Sequence, residues 1–321
     1  MTLPPTTLKA HFMPKQRILI SDPISEKGVE LLSSHPELDV DVNTGLSPEE
    51  LIKIIPSYHG LIIRSQTKVT AEVLDAATEL KAVGRAGVGV DNVDRDSATN
   101  KGVIVMNTPT GNTISTAELA FTLMLSTARN IGPAHAEVLS GNFPAARKAY
   151  KGIELNNKRL AVIGMGRIGA EFTKRAQAFG MHVVGYDPFL TQARADQLKI
   201  ELASSPNEAL TGADVVTLHV PLTDDTKHII NAERLTLMNK GALVINCARG
   251  GLIDEDALKA AIDSGILLDA VLMYTRTNLP LQITCSSVSP SIFLSHRTWV
   301  HQRMRHRKTL VSKSPNSSAI S

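Results

Sequence analysis

The sequence predicts an α/β fold of two domains, one of them a doubly wound parallel sheet with helices on both faces. Short apolar runs alternate with helical patterns over most of the chain. Residues 159 to 187 form a strand, turn, helix and strand unit whose glycines stand where a tight turn and close packing require them. With 321 residues, 43% apolar and 20% charged, the chain is long enough for two cores.

In order, Arg17 to Ile20 reads as a strand and Lys27 to Ser33 as a helix. Leu38 to Val42 with Pro48 to Ile55, and Gly60 to Ile63 with Ala71 to Ala77, repeat the pair. Lys81 to Val83 and Val103 to Val105 read as further short strands. These elements make a compact α/β unit of their own. Thr113 to Arg129 is a long helix whose Ala, Leu and Met content suits burial on most faces, and it is expected to join the two domains. Farther on, Asp214 to Leu218 and Ala242 to Ile245 read as strands. Helices are expected near Pro206 to Leu210, Ala232 to Met238 and Glu255 to Ser264. Parallel strands with helical crossovers make the sheet doubly wound, and ligands bind such sheets at the carboxyl ends of the strands.

The unit at 159 to 187 reads Arg-Leu-Ala-Val-Ile-Gly164-Met-Gly166-Arg-Ile-Gly169, then a helical stretch, then His182-Val-Val-Gly-Tyr-Asp187. Gly164 lets the chain turn off the strand, and Gly166 lets backbone N–H groups approach a diphosphate at the positive end of a helix. Gly169 lets helix and sheet pack closely. Asp187 lies 23 residues after Gly164, where a carboxylate takes both ribose hydroxyls and favours NAD over its 2′-phosphorylated form. Three glycines alone also mark ordinary turns. The apolar run before them and the strand and acid after them point to a Rossmann-type NAD site.

No apolar run approaches the roughly 20 residues that span a bilayer, and Met1 to Gln16 lacks the apolar block of a signal peptide. A cytoplasmic protein with no membrane partner is expected. Cys247 and Cys285 make neither a disulfide framework nor a metal cluster, so no metal site is expected. The net charge of +3 conceals an asymmetry. All 31 acids and 27 of the 34 Lys and Arg lie at or before Asp269, so the first 269 residues carry −4 and the last 52 carry +7. A globular segment of that length carries acids as well as bases, which marks the end of the chain as a different kind of sequence.

Four further stretches accompany the glycine turn: Gly84-Arg-Ala-Gly-Val-Gly-Val-Asp-Asn92, Asn107-Thr-Pro-Thr-Gly-Asn112-Thr, Thr217-Leu-His-Val-Pro-Leu222 and Asn246-Cys-Ala-Arg-Gly-Gly-Leu-Ile-Asp254. In this order, and over about residues 16 to 266, the chain resembles the D-isomer-specific 2-hydroxyacid dehydrogenases, above all those that oxidise 3-phosphoglycerate. The resemblance implies a Rossmann domain inserted into a flavodoxin-like α/β substrate domain, with the active site in the cleft between them. On this reading residues 1–106 are the substrate domain, incomplete, 107–270 the NAD-binding domain, and 271–321 an aberrant basic, Ser-rich tail, the chain being irregular after about residue 267. It also implies a homo-oligomer, a small-molecule 2-hydroxy acid as substrate, and no nucleic-acid partner.

Oxidising a 2-hydroxy acid needs a base for the hydroxyl proton and a fixed cation for the carboxylate. The resemblance makes Arg249 the catalytic arginine, gripping the carboxylate and polarising the reacting oxygen through its planar fork. It places Arg64, Ser65 and Asn112 on the substrate side, where each is otherwise a routine strand-end or turn residue, and the backbone of Gly87 and Val88 offers N–H groups to a carboxylate. Cofactor contacts fall on Thr67, Gly164, Gly166, Arg167, Ile168, Gly169, Asp187, Thr217, Cys247, Ala248 and Arg249. His219 precedes Pro221 at a strand end, and is expected to be structural rather than a base.

The family completes its site with Asp-Val-Tyr-x-x-Glu-Pro and, farther on, His-Leu-Gly-Ala, the glutamate orienting a histidine that acts as acid or base. Neither motif is present. A shift of one base restores both: joining each codon's third base to the next two, Met273-Tyr274 necessarily gives Val and Trp299-Val300 necessarily gives Gly. Codon choices around them allow Asp-Val-Tyr-Thr-Asn-Glu-Pro-Pro across Leu272 to Pro280 and His-Leu-Gly-Ala after Ser295. Everything after about Ile266 is therefore expected to be out-of-frame translation, and the chain to turn over poorly. Two other readings remain open at this point. One is a non-catalytic NAD-sensing corepressor of the same fold. The other is a genuine nucleic-acid arm built on Arg303, Arg305, Arg307 and Lys308 near Trp299, although such basic runs are commonly just solvated.

Overall fold

The computed structural model describes residues 14–273, apart from the side chains of 145 and 146. These residues fall into two compact units divided between Asn112 and Thr113.

The first unit alternates β1 (Gln16–Ile20), α1 (Glu26–Ser33), β2 (Leu38–Val42), α2 (Pro48–Ile54), β3 (Gly60–Ile63), α3 (Ala71–Ala76), β4 (Ala82–Arg85), α4 (Arg95–Asn100) and β5 (Ile104–Asn107). All pairings are parallel and the strand order is β2-β1-β3-β4-β5, a flavodoxin-like sheet. Each helix starts on a side chain that accepts an N–H of its first turn: Ser25, Ser47, Thr70 and Asp94. At Ser47 the cap is reciprocal, since Glu50 reaches back to the Ser47 backbone. Alternate strand residues Leu19, Leu61, Ile63 and Val83 bury against Leu51, Ile55, Val73, Leu74 and Ala98 to form the core.

The second unit opens with α5 (Thr113–Ala128), α6 (Ile131–Leu139) and α7 (Phe143–Ala149). It continues with β6 (Arg159–Ile163), α8 (Arg167–Ala178), β7 (His182–Tyr186), α9 (Gln192–Leu198), β8 (Glu201–Leu202), α10 (Pro206–Leu210), β9 (Val215–Leu218), α11 (Ala232–Leu235), β10 (Ala242–Asn246), α12 (Glu255–Asp263) and β11 (Leu267–Leu272). The sheet order β11-β10-β9-β6-β7-β8, all parallel, is the doubly wound order with its switch between β6 and β9. One apolar cluster lies on each face: Ile163, Val216, Leu218, Val244 and Leu258 on one side, Phe121, Met124, Leu160, Phe172 and Ile245 on the other. Helix α5 buries Ala117, Ala120, Phe121, Leu123, Met124 and Ala128 against α8, β10 and β11. It is thus a layer of this unit's core rather than a connector, and the division between the units falls ahead of it.

The chain is not irregular from about residue 267 as expected. Leu267, Ala270, Val271 and Leu272 are buried in β11, which runs parallel to β10. Four buried apolar residues at a sheet edge fix the strand as far as Leu272. The missing glutamate and histidine motifs, the basic tail and His296, His301 and His306 lie outside the described residues.

Candidate active site

The register places Tyr186, Ile163, Leu218 and Asn246 in one row across four neighbouring strands. The next residues, Asp187, Gly164, His219 and Cys247, therefore leave the sheet along the same carboxyl edge. This edge brings together Gly164, Gly166, Arg167, Ile168, Gly169, Asp187, Thr217, Cys247, Ala248 and Arg249. Thr67 is not among them, since it lies in the first unit, in the loop after β3.

Gly164 has φ +98°, and its N–H donates to the Tyr186 carbonyl at 2.8 Å. A Cβ there would lie 2.7 Å from the His219 carbonyl carbon, so only glycine fits. At Gly169 a Cβ would meet the Gly164 oxygen at 2.1 Å, which brings the first turn of α8 directly against the loop. Gly166 differs, because a Cβ would meet nothing within 4 Å, and as the N-cap of α8 it supplies no side-chain acceptor to the helix. The positive end of a 12-residue helix thus faces open space over a loop that two close approaches hold in shape. Asp187 accepts N–H groups from Met165 and Phe189, both at 2.9 Å, so its carboxylate is oriented by the glycine turn itself. These residues fit the diphosphate and ribose of a dinucleotide.

At the end of β10 the buried Asn246 side chain holds the next turn, donating to the Arg249 carbonyl at 2.8 Å and accepting the Ala248 N–H at 3.0 Å. The half-buried Arg249 guanidinium donates to the Ala248 carbonyl at 2.8 Å. Asn246 therefore positions the arginine, a role that the sequence reading missed; its signal was a polar residue ending an apolar strand. Burial pushes the Cys247 thiol up to about 12, so it is a neutral wall residue rather than a nucleophile.

The His219 ring packs on Phe172, with centroids 5.3 Å apart, and its Nε2 is 3.1 Å from Thr217 Oγ1. Burial lowers its pKa to about 4, which leaves it neutral near pH 7 and suits a structural residue. The unfolded chain binds this proton near pH 6.5 and the folded chain only near 4, so His219 costs stability as pH falls through that window. The cost reaches about 3 kcal/mol at the acid end. Denaturant titrations of His219→Gln and the parent should diverge between pH 6.5 and 4, with the parent losing more stability. Parallel curves would contradict the burial.

In the first unit, Arg64, Ser65 and Thr67 follow β3, Gly87 and Val88 follow β4, and Asn112 ends the loop after β5, so all lie at the carboxyl ends of neighbouring strands. Arg64, Ser65 and Asn112 are exposed. The loop after β3 is wrapped around Asp22, which is 1% exposed and accepts N–H groups from Arg64, Gln66 and Thr67. Thr67 spends its hydroxyl on the same carboxylate at 2.8 Å. The Gly87 N–H donates to the Arg85 carbonyl at 2.8 Å, so it is not offered to a ligand as expected. Among the described residues the Val88 and Gly89 amides have no acceptor, and the anion nest narrows to them. The Val88 carbonyl is fixed by Asn107 Nδ2 at 2.6 Å.

Comparison with known proteins places this geometry. The NAD-binding-domain model of the D-isomer specific 2-hydroxyacid dehydrogenases matches residues 121–282, half of the chain. The hydroxypyruvate reductase of Thermotoga maritima is 42% identical over 253 residues, which cover 79% of this chain and 80% of that protein. The chain belongs to the D-isomer-specific 2-hydroxyacid dehydrogenase family. A D-3-phosphoglycerate dehydrogenase of Methanocaldococcus jannaschii is 49% identical over 256 residues, 80% of this chain and 48% of that one. The chain spans about half the length of the curated phosphoglycerate dehydrogenases it matches. Among solved structures, the D-lactate dehydrogenase of Aquifex aeolicus complexed with NAD and lactic acid superposes with a TM-score of 0.73 at 26% identity, covering 94% of this chain and 82% of that one. The match to this family's NAD-binding domain falls within the second unit. No helix among the described residues is long and apolar enough to cross a membrane.

Proposed function

We propose that this sequence represents an enzyme that oxidises 3-phosphoglycerate to 3-phosphohydroxypyruvate with NAD, and that its end has been read out of frame beyond Leu272. The observation that carries the first part is the shared strand edge that holds the glycine turn, Asp187 and the Arg249 loop side by side. The names of the relatives support the choice of substrate. The intact form is a homo-oligomeric enzyme of the cytoplasm acting on a small molecule, with no nucleic-acid or membrane partner.

When bound, NAD accepts the hydride from the substrate's C2 carbon. The amides at the start of α8, between Gly166 and Gly169, hold the diphosphate, and Asp187 takes the adenosine ribose hydroxyls. Thr217, Cys247 and Ala248 wall the remaining strand ends. Arg249 binds the substrate carboxylate and draws electron density from the C2 oxygen, favouring loss of its proton. Arg64 and Ser65, the amides of Val88 and Gly89, and Asn112 are the first unit's groups for the anionic parts of the substrate. Among the described residues the hydroxyl proton has no positioned acceptor, so without the restored frame substrate is held but turned over slowly.

Assays of NADH formation from 3-phosphoglycerate, run on the printed and frame-repaired chains, test the activity. A transcript read with no one-base discrepancy after the codon for Leu272 would remove the frame proposal. Asp187→Ala is expected to bring NADH and NADPH affinities within about tenfold of each other by weakening the NADH side, since the lost bonds are charge-assisted. Fluorescence titrations with both cofactors measure this, and unchanged discrimination would exclude Asp187 from the ribose site.

A further inference from the structure

We infer that Asp22 is a positioning residue for the substrate-side loop Arg64 to Thr67 and so sets that loop's affinity for an anionic substrate; the inference rests on the proposed role of Arg64. Asp22 lies just beyond β1 and the loop just beyond β3, on either side of the point where the strand order of the first sheet reverses. The two are more than 40 residues apart in sequence. Oδ2 of Asp22 accepts the N–H groups of Arg64 at 2.6 Å, Gln66 at 3.2 Å and Thr67 at 3.1 Å. Oδ1 accepts the Thr67 hydroxyl at 2.8 Å, and Ser21 Oγ closes the network 2.9 Å from that hydroxyl. From the opposite side Asn92 Nδ2 donates to the carbonyls of Arg64 at 2.7 Å and Thr67 at 2.6 Å. Its own carbonyl accepts the Val69 N–H at 2.8 Å, beside the bridge from Val69 to Val93.

The loop's amides are thus gathered inward by one carboxylate while its carbonyls are tied by one amide. Its backbone cannot rotate without breaking several bonds, and the side chains of Arg64 and Ser65 are left exposed to meet a ligand. A carboxylate suits the centre of this loop because it is acceptor-only; an asparagine would turn an NH₂ group toward N–H donors and leave them unsatisfied. Leaving buried donors unpaired costs about 1–3 kcal/mol, or roughly five- to 150-fold if it is paid at the loop during binding.

The test is calorimetric titration of 3-phosphoglycerate into the full chain saturated with NADH, a pairing that cannot turn over. Asp22→Asn is expected to weaken 3-phosphoglycerate about 10- to 100-fold with NADH affinity unchanged. Because Asp22 acts through Arg64, the Asp22→Asn/Arg64→Ala double variant should bind no more weakly than Arg64→Ala alone. Asp41→Asn serves as a structural control: it breaks the Arg17 and Tyr58 contacts elsewhere in the unit and should lower stability without changing anion affinity. If Asp22→Asn does not fold, Asn92→Ala loosens the same loop from outside and should show the same non-additivity with Arg64→Ala. Unchanged affinity, or losses that add, would overturn the inference while leaving Arg64 in the site. Arg64→Ala without effect would overturn the reading of the site itself, and this inference with it.

Discussion

Restoring the reading frame beyond Leu272 is expected to raise turnover of 3-phosphoglycerate by at least about 10²- to 10⁴-fold, the range a positioned acid–base group contributes. The reason is chemical. Arg249 can fix a carboxylate and polarise an oxygen, but a guanidinium stays protonated and accepts no proton at neutral pH. His219 does not fill the gap, since its ring is buried against Phe172 and engaged with Thr217. Cys247 does not fill it either, because burial holds its thiol neutral. Replacing the restored histidine by alanine should return the repaired enzyme most of the way to the printed chain while NADH binding stays intact. A repaired chain as slow as the printed one would show that the base lies elsewhere.

Gly169→Ala is expected to abolish NADH binding and to destabilise the second unit by several kcal/mol. The added Cβ would sit 2.1 Å from the Gly164 oxygen, an atom of the backbone that no rotamer change can move aside. Helix α8 must therefore lift from the turn, which disturbs the packing of Phe172 and Ala176 beneath it and costs more than the usual 1–3 kcal/mol of overpacking. Gly166→Ala makes the contrasting case. Its Cβ meets nothing within 4 Å and its φ is −65°, so folding should be nearly unaffected. The methyl group nevertheless stands where a diphosphate must approach, so NADH affinity should fall about tenfold or more. Thermal melts and NADH titrations of both variants separate packing from binding; equal behaviour in the two assays would mean that the loop does not hold the cofactor.

The parts of the molecule that are local in sequence were the legible ones. The run Arg159 to Ile163, the spacing of Gly164, Gly166 and Gly169, and the acid at Asp187 specify a strand, a turn and a second strand without reference to anything distant. Strand β11 was missed because the unfamiliar sequence around it masked four residues that suit a buried sheet edge. Helix α11 stops at Leu235, short of the expected Met238, as the N–H of Thr236 turns back to Glu233 and Arg234. Asp22, Asn92 and Asn246 were missed for another reason. Asp22 and Asn92 act through bonds to residues far along the chain, and Asn246 through a turn whose shape its own side chain creates. Asp22 and Asn246 share one signal, a short polar residue at or just after the end of an apolar strand, but any turn residue gives the same signal.

The most direct measurement is a fluorescence titration of NADH into the purified chain, with circular dichroism establishing a cooperative unfolding transition in the same sample. Saturable binding that Gly166→Ala weakens without lowering the melting temperature is the expected outcome. A folded chain with no saturable response, or one that Gly166→Ala leaves untouched, would contradict the assignment of the turn and the helix α8 terminus to the dinucleotide.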